Sequence, residues 1–161
     1  MRLSDHRDGE PQQARAPTRV AVAFLASRPA PSTPRRFVVT RRPAGVHLAG
    51  FWELPGGKVE AGEEPRWALE RELREELGVE ASIGDHLATC RWRYGGRSPR
   101  DIELLAFWAH VEAGSPPPRP LAAAALRLVS ASELLRLPFP PANAPLLTAF
   151  REAVQAEAAR T

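Results

Sequence analysis

The chain holds a single cysteine, Cys90, so no internal disulfide can close, and a reducing compartment such as the cytoplasm is the expected setting. No apolar run approaches the roughly 20 residues that cross a bilayer, and the first residues lack the apolar segment of a signal peptide, so no membrane partner is expected. Excess charge is scarce too. Against 22 Lys and Arg stand 19 Asp and Glu, a net +3 that falls short of a nucleic-acid-binding surface. What remains is a globular composition, 43% hydrophobic and 25% charged over 161 residues, enough for one domain with a real core.

Residues 1–17 are polar and proline-containing with no apolar period, and read as a disordered tail ahead of a domain over residues 18–161. The string VAVAFLA within residues 19–26 predicts a buried strand, and residues 36–41, with Phe37, Val38 and Val39, a second. Residues 27–34 hold three prolines and read as a surface loop joining the two as a hairpin. Further on, residues 81–93 predict a strand and residues 95–100 a turn. Ile102, Leu104, Ala106 and Trp108 then alternate onto one face. A proline-rich loop over 114–120 precedes a last strand at 127–129, a short helix capped by Ser130 with Glu133 three residues on, and a final helix with Leu146, Leu147, Phe150 and Val154 on its apolar face.

The most informative stretch runs from Gly57 to Val79, GKVEAGEEPRWALERELREELGV. Leu69, Leu73 and Leu77 recur every four residues, Pro65 suits a first helical turn, and Gly78 suits a left-handed closing residue, which together predict a helix over 65–77. Glu72, Glu75 and Glu76 crowd one edge of that helix. Each like-charge pair costs roughly 0.2–0.5 kcal/mol unless something positive lies among them. Arg71 and Arg74 offset part of this, and a hard divalent cation would offset more, because Mg²⁺ prefers oxygen ligands. Taken alone, such a helix reads more readily as a solvated face. The preceding glycines, Gly56, Gly57 and Gly62, predict a tight turn around Lys58 and Glu60 in which backbone can approach a ligand closely.

Gly57, Glu63 six residues on, and then Arg71-Glu72-Leu73-Arg74-Glu75-Glu76-Leu77-Gly78-Val79 resemble the complete Nudix box, G-x5-E-x7-R-E-U-x-E-E-x-G-U with U aliphatic, and every fixed position matches. The resemblance implies an α/β fold, an α/β/α sandwich with a mixed β-sheet, and hydrolysis of a nucleoside diphosphate linked to another group. It implies Mg²⁺ or Mn²⁺ held by Glu72, Glu75, Glu76 and the carbonyl of Gly56, with Arg71 orienting the carboxylates and Glu63 completing the box. The substrate partner implied is a nucleoside triphosphate cleaved to a monophosphate and pyrophosphate, and the protein is expected as a monomer or weak homodimer.

Around the box the chain resembles the MutT-like branch, whose members act on 8-oxo-dGTP. The spacing from Arg42 to Gly57 aligns without a gap, which implies that Arg42 and His47 face the nucleotide and that Leu54 lines the base pocket. FPPAN-x-P, residues 139–145, resembles the segment whose asparagine meets guanine, so Asn143 is a candidate base reader, against the alternative of an N-cap for the final helix. Tyr94 is a candidate for stacking on the base, and Arg97 or Arg100 for reaching phosphate or base; all three fit a plain hairpin tip equally well. One departure stands out: where relatives carry an acidic residue in the loop after the sheet, this chain offers Ala122 to Ala125. A pyrimidine or broader triphosphate pyrophosphatase and a non-catalytic nucleotide sensor are the competing readings, the latter opposed by the intact box.

Overall fold

The computed structural model describes residues 16–27 and 34–160, so the expected disordered tail lies, apart from its last two residues, outside the described residues, as does most of the proline-rich 27–34 loop. Seven strands, β1 (Thr18–Ala26), β2 (Phe37–Arg41), β3 (Trp52–Glu53), β4 (Gly56–Lys58), β5 (Ala81–Tyr94), β6 (Arg100–Val111) and β7 (Ala125–Val129), form one mixed sheet. Its main path runs β3-β2-β1-β6-β5, with β4 paired to β1 and β7 to β2. Helix α1 (Pro65–Leu77) lies on one face; α2 (Ala131–Leu134), a 3₁₀ turn (Pro141–Asn143) and α3 (Ala144–Ala158) follow the last strand.

The unbroken apolar run of β1 is explained by its place in the middle. It pairs in parallel with β6, from Thr18 opposite Ile102 to Ala26 opposite His110, and is covered on both faces. Ala21, Ala23 and Leu25 point to the α1 side, where they meet Leu69, Leu73 and Leu77, all fully buried. Val22 and Phe24 point the other way, into a cluster with Phe37, Leu104, Ala106, Leu146 and Phe150. Phe24 and Phe150 stack with ring centroids 4.4 Å apart, which fastens α3 to the sheet. The α/β/α sandwich is therefore present, with separate cores on its two faces.

Helix α1 has the predicted bounds. Glu64 caps it by accepting from the Arg66 amide at 2.7 Å, and Gly78, at φ 68°, donates its N–H to the Arg74 carbonyl at 3.0 Å. Ser130 and Glu133 form the predicted capping box of α2. The glycine stretch differs from expectation. Gly56 and Gly57 belong not to a turn but to β4, opposite Val22 and Ala21 of β1. The reason is steric: a Cβ on Gly56 would collide with the Ala21 carbonyl oxygen and the Val22 Cα, so only glycine lets this strand lie so close to β1.

Candidate active site

Burying Leu69, Leu73 and Leu77 fixes the rotation of α1, and that rotation turns the edge carrying Glu72, Glu75 and Glu76 toward β4. Arg71 is the hub of this edge. Its guanidinium donates to Glu63 at 2.9 and 3.0 Å, to Glu72 at 2.7 Å, to Glu75 at 3.4 Å and to the Lys58 carbonyl at 3.1 Å. The bond from Arg71, with another from the Glu60 amide, holds the Glu63 carboxyl at about 2, well below its ordinary 4.5. These are the contacts that an orienting role for Arg71 requires. Glu72 lies over Gly57, where a Cβ would run into its carboxylate.

Glu76 stands apart from this cluster. Among the described residues it has no arginine partner, only the Gly56 backbone N–H at 3.4 Å, and burial, with the charges of Glu72, Glu53 and Glu75, pushes its carboxyl up to about 7. Among the described residues no three carboxylates, histidines or cysteines converge closely enough to form a ready-made ion site. The donor chemistry nevertheless fits a hard divalent cation: oxygen donors in excess on one helix edge, beside a backbone that glycine leaves open, and a half-buried carboxylate whose charge lacks a partner. Arg71 and the Gly56 amide occupy the places on these carboxylates that such a cation would compete for.

A cavity of about 430 Å³ opens beside Glu76. Gly56, Gly57 and Glu76 line one part of it, Arg42, His47 and Tyr94 another, and Leu54, Ala142 and Asn143 a third, over a floor that includes Val22 and Leu104. Most of the candidate substrate residues are therefore brought together. Glu63, Arg71, Glu72 and Glu75 are not in the lining, though the Glu72 carboxylate lies against Gly57, which is. Arg97 is also absent from it, and Arg100 takes the place at the mouth. The pairing of Tyr94 with Arg100 across β5 and β6 explains this, since it leaves Arg97 in the connecting turn.

Arg42 is already engaged, donating to Glu53 at 2.6 Å and to the His47 carbonyl at 2.8 Å, which shapes the loop carrying His47. The His47 ring meets Tyr94 edge-on at 5.1 Å. Asn143 sits where the 3₁₀ turn passes into α3, with helical backbone (φ −84°, ψ −12°) and no side-chain capping bond, so its amide is left to the cavity. The loop after β6 docks on the end of α1, Arg119 and Leu121 donating to the carbonyls of Leu77 and Glu76, and brings Ala122 to Ala125 with no carboxylate.

One charged cavity residue, Glu53, escapes the sequence reading. The signal available for it is alternation, because Trp52 and Leu54 are buried in the core and the polar residue between them faces the other way.

Comparison with known proteins places the chain in a family. The family model described as NUDIX domain matches residues 17–150. The chain is 42% identical over 115 residues to a CTP pyrophosphohydrolase of Escherichia coli, covering 71% of this chain and 82% of that one. It is 40% identical over 109 residues to a putative 8-oxo-dGTP diphosphatase 2 of Mycobacterium tuberculosis, 66% and 72% covered. The solution structure of the E. coli ORF135 protein superimposes with a TM-score of 0.67 at 35% identity, over 87% of this chain and 94% of that one.

Proposed function

This chain belongs to the Nudix hydrolase family, and from that premise we propose that it cleaves nucleoside triphosphates to a monophosphate and pyrophosphate, with 8-oxo-dGTP as its preferred substrate. The observation that carries the base assignment is Asn143, which lines the same cavity as Gly56, Gly57 and Glu76 and spends no bond on capping α3. Guanine N7 is an acceptor, but oxidation at C8 turns it into an N–H donor. An asparagine carbonyl oxygen there accepts from the oxidised base and faces lone-pair repulsion with the normal one, a difference of roughly 1–3 kcal/mol.

Nudix hydrolases generally use divalent metal ions such as Mg²⁺. Glu72, Glu75, Glu76 and the Gly56 carbonyl are the groups we assign to holding one here. Such an ion supplies polarisation of the phosphoryl oxygens and acidification of a bound water. The chain does the rest. Arg71 holds Glu72 in place by a 2.7 Å bond, and Glu72 is the carboxylate we assign to take the proton of the attacking water. The water oxygen forms the new bond to phosphorus as the anhydride bond to the leaving pyrophosphate breaks. Arg42 and Arg100 supply guanidinium groups at the cavity for the phosphates, and Tyr94 and Leu54 flank the base.

The test is pyrophosphate release with Mg²⁺ across 8-oxo-dGTP, dGTP, dCTP and CTP, compared as kcat/KM. A preference for 8-oxo-dGTP over dGTP of about ten- to a hundredfold, lost in Asn143→Ala, is the expected outcome. The relative named as a CTP pyrophosphohydrolase, matched over most of its length, favours a second reading, cytidine triphosphate. A preference for CTP that survives Asn143→Ala would establish that reading and overturn the oxidised-guanine assignment.

A further inference from the structure

Base reading by a single amide demands that the amide point in one direction. Asn143 ends a three-residue turn, Pro141–Asn143, held from within by the Asn143 backbone N–H donating to the Pro140 carbonyl at 2.9 Å. From outside, the Cys90 Sγ–H donates to the Ala142 carbonyl at 3.2 Å. Among the described residues this is the one side-chain hydrogen bond that reaches the turn from another element. Cys90 is on β5, opposite Leu104 of β6, which forms part of the cavity floor, and Ala142, fully buried, is both the acceptor and a cavity wall. The thiol therefore ties the backbone immediately before Asn143 to the sheet that carries the rest of the pocket.

We propose that Cys90 is a positioning residue for base selection: its thiol fixes the peptide before Asn143 and so sets the direction of the Asn143 amide. The inference rests on the base-reading role of Asn143. Burial keeps the thiol protonated by raising its pKa, so the donor is present at neutral pH. The thiol is partly buried.

The test measures binding of 8-oxo-dGMP and dGMP to the metal-free protein by calorimetry, which removes catalysis from the readout, in wild type, Cys90→Ala, Cys90→Ser, Asn143→Ala and the Cys90→Ala/Asn143→Ala double variant. Cys90→Ala is expected to shrink the affinity ratio roughly three- to tenfold, the worth of one weak hydrogen bond, while Cys90→Ser, which keeps a donor, stays within about twofold of wild type. In the Asn143→Ala background Cys90→Ala is expected to change the ratio no further, because the effect travels through that amide. A Cys90→Ala ratio equal to wild type, a Cys90→Ser ratio as low as that of Cys90→Ala, or a further fall in the double variant each overturns the role of Cys90. An Asn143→Ala ratio equal to wild type overturns the base reading itself, and the role of Cys90 with it. Circular dichroism melts identify a variant that fails to fold; should Cys90→Ala do so, Cys90→Val, which also lacks the donor, takes its place, a reduced ratio supporting the tie and a ratio equal to wild type overturning it.

Discussion

At the scale of single residues, Arg71 and Glu76 divide the work of the box. Arg71 gathers charge: a lysine could not reach Glu63, Glu72 and the Lys58 carbonyl at once from one ammonium, so Arg71→Lys is expected to lower kcat at least tenfold with the fold retained, measured by pyrophosphate release beside a thermal melt. Glu76 carries the cost of charge without a partner. Its folded pKa of about 7 lies above the ordinary 4.5, so the folded chain binds this proton more tightly than the unfolded chain does. The metal-free protein therefore loses stability as pH rises from about 4.5 to about 7, by up to about 3 kcal/mol, and is level above that. Glu63 moves the opposite way. Its pKa is depressed to about 2, so its contribution is complete above 4.5 and fades only in stronger acid, outside this window. Glu76→Gln should thus abolish metal-dependent turnover yet make the metal-free protein more stable at pH 8, with little difference at pH 4.5. Urea unfolding in chelator at the two pH values checks it, and a variant less stable than wild type at pH 8 contradicts the unpartnered charge.

At the scale of elements, β4 places two glycines under different constraints. Gly56 is at φ 145° with the Ala21 carbonyl and Val22 Cα where a side chain would go, and backbone cannot step aside. Gly57 has the end of the Glu72 side chain there instead, which can move. Gly56→Ala is therefore expected to cost about 3 kcal/mol or more of stability, whereas Gly57→Ala should cost under about 1 kcal/mol while displacing Glu72 and lowering kcat by about a hundredfold. Denaturant unfolding paired with turnover separates the two, and equal losses of stability would contradict the contrast. The same strand marks the limit of sequence reading. Helix α1 was legible to the residue because leucine period, leading proline and closing glycine all act locally. The role of Gly56 depends on a carbonyl 35 residues earlier in the chain, and no local pattern carries that. Glu53 was hidden for a related reason: its strand has only two residues, so its alternation becomes visible only once Trp52 and Leu54 on either side are known to be buried. Arg97 and Arg100 were equivalent in the sequence, and only the β5–β6 register distinguishes them.

At the scale of the whole molecule, the proposed function divides its two tasks, charge handling and base reading, between the two faces of the sheet. The box carboxylates belong to α1, packed on Ala21, Ala23 and Leu25, whereas Asn143 and the wall before it belong to the α3 side, packed on Val22 and Phe24. Side chains of β1 alternate between these cores, and β4, hydrogen-bonded along β1, brings Gly56 and Gly57 to the cavity from between them. Charge handling and base reading thus rest on different layers joined by a rigid central strand, and the two should separate on mutation. Sites with no shared partner usually act additively. Glu76→Gln is therefore expected to leave the ratio of 8-oxo-dGMP to dGMP affinity, measured without metal, within about twofold of wild type even as turnover disappears. Asn143→Ala should do the reverse to that ratio while leaving intact the rise in melting temperature that Mg²⁺ produces. That rise is about 2.7 kcal/mol of stabilisation at a metal concentration 100 times its Kd, or some 5–10 °C for a domain of this size. A Glu76→Gln protein whose base ratio collapses, or an Asn143→Ala protein that no longer responds to Mg²⁺, would mean that the central strand couples the layers instead of separating them.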